Sequence, residues 1–298
     1  MKSVWSFWSK PYFAGYSRWY TDWHHWLGWG LSLHTVSQFY PDTCLVTDDA
    51  GARILIDYLQ LPFEHVSTDL NKLRNEHRDW WSLGKIEAYG MQDAPFVHID
   101  ADVFLWKPLA VELERADVFA QNPEPIVPGA TLYTPEQVER ALDGGWLPEE
   151  WLWYRRVKKA ESQCCGVLGG NRVDFIKHYA GTALRILRDP RNRLAMKRLA
   201  EKSRHMLLIE QYVLTACVEY HRTQKQSPFA GIEMRHVFAS LDEALGPHAP
   251  VAAGFTHLAA GAKRNRRVSR DLEKRVQKEL PEFYERCTDL LFSHLRTA

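Results

Sequence analysis

In the run His98-Ile99-Asp100-Ala101-Asp102-Val103-Phe104-Leu105, two carboxylates stand two residues apart at the end of an apolar stretch. Where a strand is ending, both can turn toward one cation, and a hard divalent ion takes such oxygens while keeping room for substrate phosphates. The apolar residues before and after the pair argue for burial, and a buried carboxylate needs a partner. Parallel sheets bind ligands at the carboxyl ends of their strands, which is where this pair would lie.

The first half of the chain supplies elements to hold it there. The pattern predicts strands over residues 2–8, 44–47, 63–66 and 95–99, alternating with helices over 19–38, 51–59 and 80–91. That order implies an α/β fold with a mostly parallel sheet covered by helices on both faces. The second half is less regular. Pro123, Pro125, Pro128 and Gly129 read as a loop, and Gly144-Gly145 as another. Gly166 to Asn171 reads as a short strand turning into a helix from Val173, and a further helix is expected from Leu207 to Tyr220. The absence of repeats or a linker favours one domain over residues 1–298 with a helix-rich C-terminal elaboration.

Composition narrows the function classes. The 298 residues carry 38 Lys and Arg against 37 Asp and Glu, a formal net charge of +1, which argues against a general nucleic-acid binder. Twelve Trp, twelve Tyr and thirteen Phe are a heavy aromatic load, mostly core but also suited to stacking on sugars or bases. No stretch approaches the roughly 18 apolar residues of a membrane span, and the N-terminus has no signal-peptide core. Five cysteines without a CxxC spacing suit a reduced, cytoplasmic protein. Between Lys263 and Arg275 stand seven basic and two acidic residues with no evident hydrophobic face. This is a solvated helix, or a peripheral contact with an anionic membrane.

The Asp100-Ala101-Asp102 segment resembles the Asp-x-Asp motif of GT-A-fold, nucleotide-sugar-dependent glycosyltransferases. Trp81 to Tyr89 resembles the helix before that motif, with Lys85 as the basic residue facing the nucleotide sugar. Cys165 to Asn171 resembles the acceptor-side segment after it, in which Gly169, Gly170 and Asn171 supply a tight turn or bring Asn171 near the sugar. His257-Leu258-Ala259-Ala260-Gly261-Ala262-Lys263 resembles the C-terminal His-Phe-x-Gly-x-x-Lys motif of the glycogenin-like and lipopolysaccharide galactosyltransferase-like families. The resemblance covers about residues 1–263. It implies Mn2+ or Mg2+ held by Asp100, Asp102 and His257, with Lys263 on the diphosphate of a UDP-sugar. It further implies a nucleotide-sugar-binding half over 1–122, an acceptor-side half over 123–262 and basic helices over 263–298. The chemistry agrees, because a departing nucleoside diphosphate gathers negative charge that an ion and a fixed ammonium stabilise.

Five further residues are expected at the edges of this arrangement. Asp48, after the second strand, would contact base or ribose, or else cap a turn. Trp8 and Tyr12, past the first strand, would stack on the base or pack in the core. Glu210 and Gln211 resemble the acidic–amide pair kept near the reacting sugar. Glu210 would be a general base in an inverting enzyme, or steady the sugar in a retaining one. The acceptor is open: a glycan, lipid-linked sugar, peptide or small molecule. The alternatives are a nucleotidyltransferase, which would usually carry a Gly-rich basic loop where Trp-Ser-Lys-Pro-Tyr stands, and a catalytically silent glycan-binding protein of the same fold.

Overall fold

The computed structural model describes residues 1–16, 18–127, 133–157 and 161–295, with side chains except at 260 and 291–295. Seven strands form one sheet in the order β3-β2-β1-β4-β7-β6-β8. They are β1 (Lys2–Phe7), β2 (Thr43–Thr47), β3 (His65–Ser67), β4 (Phe96–Ile99), β6 (Val118–Pro125), β7 (Glu161–Gly170) and β8 (Met234–His236). Two more, β5 (Val103–Leu105) and β9 (Phe255–His257), make a separate antiparallel pair. The central strands are apolar at successive positions, as burial on both faces demands. Val4, Val46, Phe96, Val118 and Leu168 belong to one buried cluster. Their chain neighbours Trp5, Leu45, Val97, Phe119 and Val167 belong to a second, across the sheet.

Helices close both faces. The first cluster is covered by α2 (Leu83–Gly90), α3 (Glu149–Arg156), α4 (Val173–Arg188) and α5 (Val213–Thr223), all of which contribute buried side chains to it. The second is covered by α1 (Asp22–Ser37), α6 (Arg266–Glu279) and α7 (Pro281–Leu295). A π turn over Leu208–Tyr212 leads into α5. The expected α/β class with a mostly parallel sheet is therefore what forms: β1, β2, β3 and β4 run parallel, and β6 and β8 run parallel to each other. Among the described residues no helix is long and apolar enough to cross a membrane.

Three local expectations are corrected. Pro123 and Pro125 lie inside β6 rather than in a loop; β8 pairs with Val118 to Ala120, and among the described residues no strand pairs with the outer side of the prolines, where no N–H is needed. Pro128 and Gly129 lie outside the described residues. The stretch from Gly166 extends back to Glu161 as β7, which is antiparallel to both β4 and β6. The basic segment does have an apolar face: α6 buries Leu272 and Val276 against α1, and Glu273 meets His24 at 2.7 Å. The strand pair β5–β9 and the strands β6 and β8 are too short or too irregular in pattern to stand out in the sequence.

Candidate metal and nucleotide-sugar site

β4 stops at Ile99 and the chain turns at once. Asp100 donates its N–H to Gly166 O at 2.9 Å, and Val103 donates to Asp100 O at 2.9 Å, so Asp100, Ala101 and Asp102 form a tight turn between β4 and β5. The β5–β9 pair then carries the distant part of the site. Val103 is paired with His257, and Leu258 donates to Asp102 O at 2.9 Å. His257 Nε2 consequently lies 3.5 Å from Asp102 Oδ1. Asp100, Asp102 and His257 each offer a ligand atom, and these atoms all lie within 4.8 Å of one another. A short 3-10 turn, Ala260–Arg264, follows β9 and brings the Lys263 ammonium onto Asp102 Oδ2. Lys263 is also 5.9 Å from the centroid of the Trp19 ring.

A second ammonium holds the other carboxylate. Lys85, on α2, contacts Asp100 Oδ1 at 2.9 Å, Glu210 Oε1 at 2.8 Å and Cys165 O at 3.0 Å. A bulge makes that last contact possible. From Ala120 to Asn122, β6 advances two residues while its partners on β7 run from Leu168 to Cys164, four residues. The surplus on β7 leaves the Cys165 carbonyl for Lys85, while the Gly166 carbonyl continues the β4 ladder to the Asp100 N–H. Gln121 sits at this irregularity and its Oε1 faces His257 Nδ1 at 2.7 Å. With Nδ1–H donated to Gln121, Nε2 is the atom that faces Asp102, and it is the one a metal would take in exchange for its proton.

The electrostatics follow from burial and from these contacts. Burial pushes the Asp100 carboxyl up, only partly opposed by Lys85. At Asp102 burial acts in the same sense, yet Lys263 and His257 outweigh it and hold the acid well below its ordinary range. Burial disfavours the charged form of His257, but Asp102 raises it to about 10. His98, behind the turn, is lowered by burial and by Lys85; its Nε2 lies 2.9 Å from Ser6 Oγ and its Nδ1 3.9 Å from Asp100 Oδ1. Two carboxylates with one imidazole suit a divalent ion that takes oxygen ligands and tolerates nitrogen, such as Mn2+ or Mg2+. Asp100 is the most open of the group at 25% side-chain exposure, Lys85 has 12% and Glu210 1%.

The other expected site residues divide sharply. Glu210 and Gln211 enter on the buried π turn, with Glu210 beside Lys85 and 3.3 Å from Tyr89 Oη. Gly169, Gly170 and Asn171 are not at the site. Because β7 is antiparallel to β4, Gly170 faces Phe96 at the opposite end of that strand, and Asn171 donates to Glu114 O and Ala116 O. The other end of the same segment, Cys165 and Gly166, is the part that meets Asp100. Asp48 caps a turn: Oδ1 accepts from Gly51 N and Oδ2 from Ser9 N and Oγ. Trp8 is buried against Gly84 and Leu70, a core residue and not a stacking platform. One face of the Tyr12 ring is already stacked on His25, at 5.1 Å and 20°. Gln121 and His98 went unrecognised in the sequence, since an isolated Gln or His carries no spacing signal.

Residues 1–290 match a family described as of unknown function, DUF6734. No curated protein matches this chain. Among solved structures it is similar to the galactosyltransferase LgtC crystallised with donor and acceptor sugar analogues, at 12% identity and a TM-score of 0.35, covering 91% of this chain and 96% of that one. An active-site mutant of LgtC is similar at 11% identity and a TM-score of 0.36, covering 92% and 95%.

Proposed function

We propose that this chain, which belongs to the family of unknown function DUF6734, is a divalent-metal-dependent glycosyltransferase of GT-A type that moves a sugar from a UDP-sugar to an acceptor. The observation that carries this reading is the convergence of Asp100, Asp102 and His257, with ligand atoms within 4.8 Å, between two half-hidden ammonium groups. These three residues would hold the ion. When bound, Mn2+ or Mg2+ supplies Lewis-acid stabilisation of the charge that gathers on the leaving diphosphate.

The chain's own groups do the rest. Lys263 is a compact point charge on a short turn, suited to a diphosphate oxygen. Lys85 holds the Asp100 carboxylate in orientation and presents a fixed positive charge at the floor of the site. Glu210 acts through Lys85. Its side chain is only 1% exposed and has the ammonium at 2.8 Å, so it is closed to an incoming acceptor as a general base. That favours retention of configuration, with Glu210 and Gln211 steadying the positive charge that develops on the sugar. The acceptor would be an alcohol on a glycan, lipid-linked sugar, peptide or small molecule.

The test is thermal stabilisation by UDP with and without Mn2+. The wild-type chain should be stabilised by UDP only when Mn2+ is present. Asp100→Asn and Asp102→Asn, which remove charge and keep shape, should abolish that response with the circular dichroism spectrum unchanged. Metal-dependent UDP stabilisation surviving in both variants would sink the reading, and stabilisation by free sugar alone would point to a silent glycan binder. A donor-hydrolysis screen across UDP-sugars then identifies the sugar.

A further inference from the structure

The geometry points to a second metal site, a zinc site built from Glu150, His178 and His221 on the helical layer. It shares no residue with the Asp100–Asp102–His257 centre. Glu150 stands in the first turn of α3, His178 in the middle of α4 and His221 near the end of α5. His178 Nε2 lies 2.9 Å from Glu150 Oε1, His221 Nε2 lies 3.3 Å from the same oxygen, and the two Nε2 atoms are 2.9 Å apart. Three ligand atoms therefore form a small triangle, close to the spacing of about 3.3 Å that bonds of about 2.0–2.1 Å impose around tetrahedral zinc.

Hydrogen bonding alone serves this triangle poorly. One proton can occupy only one of its three edges. If both imidazoles carry a proton on Nε2 for the carboxylate, two N–H groups face each other across 2.9 Å. A cation at the centre meets all three lone pairs at once. The surroundings hold the rings in that attitude. His221 Nδ1 lies 2.6 Å from Ser227 Oγ, a partner that can take the Nδ1 proton and leave Nε2 free as a ligand. Phe175 packs edge-on to His221 and Phe229 lies against both imidazoles, an apolar shell that strengthens the electrostatics. Glu150 and His221 are buried, at 8% and 5% exposure.

Two imidazoles and one carboxylate select zinc or a neighbouring transition metal over Mg2+. Glu150 and His178 also line a cavity of about 480 Å³, together with Trp146, Lys177 and Arg185. The cavity gives an entry path and a fourth coordination position open to water or a small anion. Three protein ligands with one exchangeable position is the pattern of a reactive zinc site rather than a closed structural one.

The experiment uses the full chain stripped with EDTA and titrated with Zn2+ against a chromophoric chelator, with Co2+ as a spectroscopic substitute. We expect Zn2+ binding that persists in Asp102→Asn, and that Glu150→Gln and His178→Asn, each added to Asp102→Asn, weaken at least a hundredfold. As single variants both should keep the Mn2+-dependent UDP response, which separates this site from the other. The Co2+ form of Asp102→Asn should show the intense visible bands of four-coordinate cobalt. Zinc affinity unchanged by both Glu150→Gln and His178→Asn, or a weak six-coordinate cobalt spectrum, overturns the assignment; the spectrum of Asp102→Asn decides even where Glu150→Gln or His178→Asn fails to fold.

Discussion

A methyl group built on Gly166 would stand 2.5 Å from Gln121 Oε1, 2.6 Å from His257 Cε1 and 2.7 Å from His257 Nδ1. Gln121 Oε1 ends a flexible side chain and can swing aside only by giving up its 2.7 Å contact with His257, and the His257 ring is held by the backbone pairing of its residue with β5. Gly166 is therefore a site residue through the space it leaves. Gly166→Ala should push the imidazole off Asp102 and weaken Mn2+ binding at least tenfold, about 1.4 kcal/mol, with the sheet intact. Isothermal titration with Mn2+ alongside circular dichroism checks this, and an alanine variant binding Mn2+ as tightly as wild type contradicts it. The glycine's neighbourhood was visible in the sequence as an apolar Gly-rich segment, but which end of the segment meets the site was not. Side-chain types cannot tell a parallel strand from an antiparallel one.

Helix α1 works on two fronts, one on each side. Gly28, Ser32 and Thr35 lie at successive turns on one face. There a Cβ on Gly28 would approach Ala101 O to 3.1 Å, Ser32 Oγ donates to Asp100 O at 3.3 Å and Thr35 Oγ1 accepts from Leu105 N at 3.3 Å. Small side chains let the helix support the turn that holds both aspartates. Trp5 extends the support, donating Nε1 to Ser32 Oγ at 3.0 Å from the middle of β1. Gly30, on the other face, leaves room for the Phe283 ring of α7; a Cβ there would fall 2.1 Å from Phe283 Cε1. The two glycines should separate cleanly. Gly30→Ala should cost a net of about 1–2 kcal/mol, the overpacking strain less the helix propensity regained, and keep the Mn2+-dependent UDP response. Gly28→Ala, meeting the Trp19 ring at 2.7 Å, should weaken that response instead. Urea midpoints and thermal shifts on the two variants check the split, and a Gly30→Ala chain that loses the UDP response while Gly28→Ala keeps it would reverse the assignment.

Across the whole molecule, loading an ion at Asp100, Asp102 and His257 couples to protons. His257 is held protonated up to about 10 by Asp102, so at neutral pH a metal entering at Nε2 must displace one proton. The sign follows: Mn2+ affinity rises with pH, by about tenfold per unit between neutrality and pH 9. The metal-free chain has the opposite trend. A histidine raised by its carboxylate contributes stability that is full below its ordinary value of 6.5 and is lost as pH climbs through about 10. Calorimetry of Mn2+ binding in buffers of different ionisation enthalpy should report release of about one proton at neutral pH. An enthalpy independent of the buffer would show that His257 is neutral or is not a ligand.

By itself the sequence determined the α/β alternation, the end of the strand at Ile99 and the two carboxylates beyond it, because those follow from local periodicity and from the intolerance of buried charge. The motif resemblance also carried His257 and Lys263 to the right neighbourhood across more than 150 residues of chain. Only the tertiary structure decided the rest. Reversal of β7 exchanged Gly169, Gly170 and Asn171 for Cys165 and Gly166. Of the two readings open for Asp48, hydrogen-bond accounting favours the cap, and of those open for Trp8, burial favours the core. The grouping of Glu150, His178 and His221 was illegible for the same reason: they lie on three helices with no shared spacing, and only the packing of α3, α4 and α5 makes them one site.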